Sequence, residues 1–258
     1  MSEFQEKSRV VAVEQLADTF YRLTLSAPQI ASSSQPGQFV MAACGPYLDP
    51  LLRRPFSVHR RCDTHSIQLL FRVVGRGTEL LAAKRPGDVL HLIGPLGRGF
   101  DIDDADRVCL VGGGIGIAPL LFLAEELRLS QRTCTVLLGS RTAGELHQLT
   151  VEFNALGCEV EVATDDGSAG YHGLVADLLG PCLTGVKRCY ACGPTPMMAR
   201  TAQLCLAGRI PCQVSLEAHM ACGLGACLGC TVHGTADRYL HICRQGPVLN
   251  AEEVAWNR

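Results

Sequence analysis

Two rhythms of apolar and polar positions divide the chain. Residues 8 to 100 carry short strand-like runs: Phe20 to Leu25, Gln38 to Ala42, Ser57 to His59 and Ile67 to Val74. Turn residues separate them at Pro36-Gly37, Gly45-Pro46 and Pro86-Gly87-Asp88. Many short strands with Gly/Pro turns predict a small antiparallel β-barrel, with one short helix inserted at Thr78 to Ala83. From Asp106 to Val214 the rhythm becomes strand, glycine turn, helix. Strands are expected at Arg107 to Val111, Cys134 to Leu138, Glu159 to Ala163 and Lys187 to Ala191. Helices are expected at Pro119 to Leu129, Gly144 to Leu156, Leu174 to Leu179 and Pro196 to Ala207. This alternation predicts a doubly wound α/β unit, a parallel sheet covered on both faces. From Glu217 onward there is little periodicity and much glycine, so something besides apolar burial should hold the tail together. The expected organisation is multidomain α/β, with a barrel over residues 1–101, a nucleotide-type α/β domain over 102–215 and a small cysteine-rich segment over 216–258.

Composition narrows the function classes. At 47% hydrophobic and 19% charged residues, the chain can build real cores. Its 23 basic and 25 acidic side chains give a net charge of −2. No basic run exists, so neither nucleic acid nor an anionic membrane is an expected partner. Met1 to Lys7 lacks the apolar core of a signal peptide. The longest apolar stretch, Val108 to Leu123, is broken by four glycines and Pro119 and is too short to span a bilayer. A soluble, cytoplasmic protein is the expectation.

The chain has fourteen cysteines. Ten are scattered, and most of these should be small buried hydrophobes. The other four read Cys222-x4-Cys227-x2-Cys230, then Cys243 after twelve intervening residues. That spacing is the one used by plant-type [2Fe–2S] sites, and Gly223, Gly225 and Gly229 permit the backbone to wrap closely. Structural zinc also accepts four cysteines, but it usually takes two close pairs, and Cys222 and Cys227 are widely spaced for that. His233 and His241 read as ordinary loop histidines.

Other positions suit phosphate. Gly112-Gly113-Gly114-Ile115-Gly116 joins a strand to a helix, where a pyrophosphate can approach the backbone. Thr164-Asp165-Asp166-Gly167 and Cys192-Gly193-Pro194 fall at carboxyl ends of expected parallel strands, the edge where such sheets bind ligands. In the barrel, Arg54-Pro55-Phe56-Ser57 and Gly75-Arg76-Gly77-Thr78 offer a guanidinium, a hydroxyl and a helix start suited to a diphosphate. Taken singly, the barrel motifs are more often an ordinary turn or a salt-bridging arginine, and a glycine-rich turn alone is weak evidence.

Taken together and in order, these motifs resemble the ferredoxin-reductase flavoprotein superfamily. Arg54-Pro55-Phe56-Ser57 resembles its flavin motif, with Phe56 where a tyrosine is common; Gly77-Thr78 resembles its FAD-phosphate turn and Cys192-Gly193-Pro194 its nicotinamide-side motif. Gly94-Pro95-Leu96-Gly97-Arg98-Gly99-Phe100 and the four-cysteine tail bring the chain nearest to the electron-transfer subunits of bacterial type B dihydroorotate dehydrogenase. The resemblance implies an FAD site at Arg54, Pro55, Phe56, Ser57, Leu70, Phe71, Arg72, Gly77 and Thr78. It implies an NAD site at Gly113, Gly114, Gly116, Ser140, Arg141, Asp166, Cys192, Gly193 and Pro194, and a [2Fe–2S] cluster on Cys222, Cys227, Cys230 and Cys243. The implied partner is an FMN-containing dihydroorotate dehydrogenase catalytic subunit, in a heterotetramer with two of each chain. Electrons would pass from that FMN through the cluster and FAD to NAD+, in pyrimidine biosynthesis. No side chain is expected to act as a general acid or base.

Three rival readings share these modules: a subunit of a hydrogenase or ferredoxin:NADP+ reductase complex, a self-sufficient NADH reductase, and a non-catalytic redox sensor. Cys192 reads either as a positioning group between nicotinamide and flavin or as a buried thiol without a role. By charge alone Arg141 favours the 2′-phosphate of NADP, unless it turns away or pairs with Glu145; the family implies NAD.

Overall fold

The computed structural model describes residues 3–45 and 49–256. Met1, Ser2 and Pro46, on which sequence expectations fell, lie outside the described residues. Six strands close a barrel in the order β1-β2-β5-β4-β3-β6: β1 (Phe4–Gln15), β2 (Phe20–Ser26), β3 (Phe39–Ala43), β4 (Arg54–Arg61), β5 (Ser66–Arg72) and β6 (Val89–Leu96). Helices α1 (Pro28–Ser33) and α2 (Arg76–Ala82) are inserted in it. Leu23, Leu25, Val40, Val58, Ile67, Leu69, Leu90 and Leu92 fill its interior. Strand β1 starts at Phe4, four residues before the strand-like stretch expected from residue 8, because its inward positions are partly polar. Glu6 and Ser8 are buried there, and the Glu6 carboxylate accepts the Gln29 and Ile30 N–H groups at the start of α1, at 3.2 and 3.1 Å.

The second half is a parallel sheet. Strands β7 (Arg107–Gly113), β8 (Thr133–Ser140), β9 (Glu159–Thr164), β10 (Tyr171–His172), β11 (Arg188–Cys192) and β12 (Cys212–Ser215) lie in the order β10-β9-β8-β7-β11-β12. The order reverses between β7 and β11, so a crevice opens there at the carboxyl ends. Helices α3 (Leu120–Leu129) and α4 (Ala143–Ala155) cover one face, and α5 (Val175–Cys182) and α6 (Thr195–Ala207) the other. The two cores follow strand alternation. Val108, Leu110, Tyr190 and Cys192 face α3, whereas Cys109, Val111, Cys189 and Ala191 face α6.

The tail is less independent than its composition suggests. It holds a two-stranded ribbon, β13 (Thr231–His233) and β14 (Tyr239–His241), then α7 (Ile242–Gln245) and β15 (Val248–Asn250). Strand β15 pairs antiparallel with β12 and completes the large sheet. Leu240, Ile242, Cys230 and Cys243 are buried in the same core as barrel residues Phe39, Met41 and Leu96. Among the described residues no helix is long and apolar enough to cross a membrane. Of the ten scattered cysteines seven are buried; Cys182 and Cys212 are half-buried and Cys62 is exposed.

Charged contacts join the barrel to the α3–α4 face. Arg60 pairs with Glu125 at 2.6 Å, Arg61 with Glu126 at 2.7 Å, and the buried Arg22 bridges Glu14 and Glu152. At their centre lies His59, fully buried, whose Nδ1–H donates to the Ala118 carbonyl at 2.7 Å. Its Nε2 and Glu152 Oε2 face each other at 4.0 Å, neither with a hydrogen-bond partner. Burial pushes His59 down to about 4 from the usual 6.5, against the raising influence of the Ala118 contact and Glu152. The unfolded chain therefore takes up a proton here before the folded one does. Stability should fall between about pH 6.5 and pH 4, by on the order of 3 kcal/mol, and stay level above that window. Urea midpoints should show this slope, and His59→Asn, which keeps a donor for Ala118, should flatten it. An unchanged slope in the variant would place the titration elsewhere.

Candidate functional site

A cavity of about 570 Å³ lies between the barrel and the sheet. All nine residues of the expected flavin set line it: Arg54, Pro55, Phe56, Ser57, Leu70, Phe71, Arg72, Gly77 and Thr78. Strand β4 supplies the first four, the end of β5 the next three, and the first turn of α2 the last two. Arg54 and α2 meet directly. A Cβ on Gly77 would lie 3.5 Å from Arg54 Cγ and 3.6 Å from its Nε. The Arg54 guanidinium donates to the Leu52 carbonyl at 2.9 Å, which fixes one end of its fork. Thr78 turns its hydroxyl inward, accepting the Val74 and Gly75 N–H groups and donating to the Gly75 carbonyl. That hydroxyl thus caps its own helix. Phe56 and Phe71 pack edge to face with ring centroids 5.8 Å apart and form the apolar floor.

A second cavity, of about 610 Å³, opens over the β7/β11 crevice. Gly113, Gly114, Gly116, Gly193 and Pro194 line it. Here the two turns touch backbone to backbone. A Cβ on Gly116 would clash with the Gly193 backbone, and one on Gly113 would lie 2.6 Å from Met197 Sδ. The other expected nicotinamide-side residues do not line it. Cys192 is buried on the α3 face, in register with Ser215 of β12. Burial first and Glu217 second raise its thiol well above the ordinary range. Ser140 ends β8, and Arg141 and Asp166 lie in the loops after β8 and β9, where the Asp166 N–H donates to the Arg141 carbonyl at 3.2 Å. Asp166 spends its carboxylate on Ser168, which holds it below its usual range. Arg141 pairs with Glu145 at 3.3 Å and stays largely exposed.

The four tail cysteines form two pairs. Cys230 Sγ and Cys243 Sγ are 3.2 Å apart, and the thiols of Cys222 and Cys227 are in hydrogen-bond contact. Backbone N–H groups converge on them: Leu224 and Cys227 donate to Cys222 Sγ at 3.4 Å, Gly225 to Cys243 Sγ at 3.2 Å, Gly229 to Cys227 Sγ at 3.5 Å and Cys243 to Cys230 Sγ at 3.4 Å. Those bonds favour thiolate, and those from Leu224 and Cys227 bring Cys222 down to about 6. Burial first and then Cys230 push Cys243 up to about 12. Two pairs of thiols with N–H donors aimed at sulfur fit a two-iron cluster with two ligands per iron, rather than four thiols around one ion. At Gly223 the backbone φ is +72°, and a Cβ would lie 2.5 Å from Met41 Cγ of the barrel. Cys227, Leu224 and Leu228 form an exposed rim.

Of the residues that connect these sites, sequence reasoning placed Arg72 in the flavin set and missed Leu216 and Glu217. Arg72, Ile115, Leu216 and Glu217 line both cavities. Ala218, His219 and Met220 continue along the first cavity, and Cys222 follows two residues later. Two residues span at most about 7 Å, so the cavity wall runs directly into the thiol loop. Glu217 opens onto both cavities while protein surrounds it, and this desolvation raises its carboxyl against the lowering influence of Arg72. The tail also walls the second cavity, through Val232, His233, Val254, Ala255 and Trp256. A single acidic residue after a four-residue strand carries no local signal.

Comparison with known proteins supplies independent findings. The family described as the iron-sulfur cluster binding domain of dihydroorotate dehydrogenase B matches residues 217–255. A protein of Desulforamulus reducens, named dihydroorotate dehydrogenase B (NAD(+)), electron transfer subunit, is 41% identical, over 96% of this chain and 97% of its own. One of Geobacillus thermodenitrificans with the same name is 40% identical, over 97% and 98%. Among solved structures, an NADH-dependent reduced ferredoxin-NADP oxidoreductase linked to flavin-based electron bifurcation superposes with a TM-score of 0.87 at 30% identity, over 97% of this chain and 90% of that one. A ferredoxin NADP+ reductase from Neisseria gonorrhoeae with bound FAD and NADP shares the fold, with a TM-score of 0.66 at 18% identity, over 79% and 91%.

The contact between the Gly116 and Gly193 turns can be tested directly. Gly116→Ala must push the two turns apart and should cost about 1–3 kcal/mol. Gly180→Ala, inside α5 with nothing within 4 Å of the added methyl, should be neutral or stabilising. Equal unfolding midpoints for the two variants would show that the turns do not touch.

Proposed function

The chain belongs to the electron transfer subunits of NAD(+)-linked dihydroorotate dehydrogenase B, and from that premise we propose which of its residues do the work. Its cofactors are FAD, a [2Fe–2S] cluster and NAD. When bound, the cluster supplies one-electron transfer and the flavin the conversion between single electrons and a hydride on nicotinamide. Cys222, Cys227, Cys230 and Cys243 would hold the cluster as thiolates, each thiol giving its proton to solvent. The Arg54 guanidinium, with one edge held by the Leu52 carbonyl, turns its remaining donors toward a diphosphate beside Gly77. Phe56, Leu70 and Phe71 wall the flavin against water. At the glycine crevice the NAD phosphates meet Gly113, Gly114 and Gly116, with Gly193 and Pro194 opposite, and Ser140, Arg141 and Asp166 stand farther along that edge. Cys192 acts at one remove, through Ser215 on the neighbouring strand. Glu217 and Arg72 set the polarity of the passage between the cavities. No side chain needs to act as a general base.

The observation that carries this reading is the continuity of the path. The thiol loop begins two residues beyond the first cavity, and the first cavity shares four wall residues with the second. The subunit name implies a catalytic partner. Our proposal adds that this partner carries FMN and oxidises dihydroorotate in the cytoplasm. It places two copies of each subunit in the complex and docks the partner on the exposed rim at Leu224, Cys227 and Leu228.

The test separates the two ends of the path. Wild type should carry about two irons and two labile sulfides per chain and should reduce NAD+ with dihydroorotate only when the catalytic subunit is present. Cys227→Ser should lose cluster absorption and that reaction, yet keep NADH oxidation by ferricyanide; Cys134→Ser should keep both. Arg54→Ala should weaken FAD retention about ten- to a hundredfold, the worth of one charge-assisted contact. Stoichiometric zinc without sulfide at the tail, or unchanged FAD content in the Arg54 variant, would overturn the assignment.

Nucleotide choice follows from the Arg141–Glu145 pair. With its charge engaged, Arg141 offers little to a 2′-phosphate, so kcat/KM for NADH should exceed that for NADPH. Glu145→Gln should raise the NADPH value up to about tenfold, whereas Arg141→Ala should leave it low. A wild type that prefers NADPH and loses that preference in Arg141→Ala would reverse the choice.

A further inference from the structure

A second group of cysteines lies far from the path just described. Cys189 of β11 is in register with Cys109 of β7 on one side and Cys212 of β12 on the other. In-register neighbours in a parallel sheet project from the same face, so these three form one row across three strands. The next row on that face, two residues nearer the crevice, is Val111, Ala191 and Val214, all hydrocarbon. Helix α6 packs over β11 and β12 and lowers Cys205 onto the row. The ligand atoms of Cys189, Cys205 and Cys212 all lie within 4.8 Å of one another. Cys109 stands beside Cys189 along the row, one strand over.

We propose that Cys189, Cys205 and Cys212, with Cys109 as the fourth ligand, bind one zinc ion separate from the iron–sulfur cluster. Zinc–sulfur bonds of about 2.3 Å place tetrahedral ligand sulfurs about 3.8 Å apart, so closing the three thiols onto an ion requires shifts of about an ångström or less, and the Cys109 side chain, outside that group of three, must swing farther to complete the shell. Four elements contribute one ligand each, which makes the ion a tie between α6 and the strands it covers. An entry route exists. Cys189, Cys205 and Cys109 are buried, but Cys212 at the start of β12 is half-buried, on the sheet edge opposite the nucleotide crevice. Binding releases the thiol protons to solvent, and no oxidant or reductant takes part. Four small buried hydrophobes would fill the same space, and that is the reading the experiment must defeat.

The test uses the full chain with its iron–sulfur cluster and flavin in place. Metal analysis after zinc loading and gel filtration should give about one zinc per chain beyond the cluster iron. Cys189→Val and Cys205→Val replace thiol by hydrocarbon of similar size, so packing alone would tolerate them. They should lose the zinc, keep cluster absorption and FAD, and lose the chelator sensitivity of the wild-type melting temperature. Cys44→Ser, a buried cysteine outside the row, should retain the zinc. Should a variant fail to fold, cobalt titration of the wild type answers instead, since tetrahedral thiolate ligation gives intense ligand-to-cobalt absorption. The proposal fails if wild type binds no more zinc than the valine variants, if those variants are as stable as zinc-loaded wild type, or if cobalt yields no thiolate bands. Because the readouts are zinc and unfolding with the cluster intact, failure here leaves the electron path untouched.

Discussion

Backbone lies directly on backbone where the turn after β7 meets the turn after β11, and the position of both cavities depends on that contact. Gly116 and Gly193 approach within a distance that admits no side chain, which brings the carboxyl ends of two non-consecutive strands to one point. The crevice of a doubly wound sheet is a product of strand order, but its depth here comes from those glycines. Once the turns are fixed, Ala118 is fixed too, and His59 reaches across from the barrel to hold its carbonyl. The barrel is thereby registered against the sheet at one buried hydrogen bond, with Arg22–Glu152, Arg60–Glu125 and Arg61–Glu126 around it. The partly exposed Arg60–Glu125 and Arg61–Glu126 pairs are each worth little on their own. Their arrangement around a dry centre makes them matter as positioning contacts.

The chain's chemistry was more legible than its connectivity. Arg54-Pro55-Phe56-Ser57, Gly77-Thr78 and the glycine turn could be placed because each is local: residue type and neighbours suffice to suggest a phosphate or a strained turn. The cysteine tail could be placed because spacing along the chain sets how thiols can converge. What stayed hidden depends on pairing. Strand β1 buries Glu6 and Ser8, which mute its alternation, and β15 is three residues whose ladder partner is β12. Cys192 follows the same parity as Tyr190, so its thiol faces α3 and not the open crevice, a distinction set by the strand's exact register in the sheet. Glu217 gains its place only because β12 ends between the two cavities. The row Cys109–Cys189–Cys212 is likewise a property of the sheet: nearly eighty residues separate the first two along the chain, yet they are adjacent in space.

The tail shows how a short segment solves the burial problem. It has too few apolar residues for a core of its own, and it borrows two. Met41 and Leu96 of the barrel lie beneath Gly223, and β12 receives β15 at the edge of the sheet. The thiol loop is thus braced by both larger units at once, and its separation from either cavity is fixed by covalent chain and not by a flexible linker.

That bracing has a consequence for how the protein is made. A ribosome delivers the barrel and the sheet first, and domains tend to fold as they emerge. The last forty or so residues then arrive at a surface already shaped to receive them, with Met41 waiting and the edge of β12 unpaired. Until β15 zips onto that edge, the nascent protein exposes an open strand, a template for unwanted pairing with other chains.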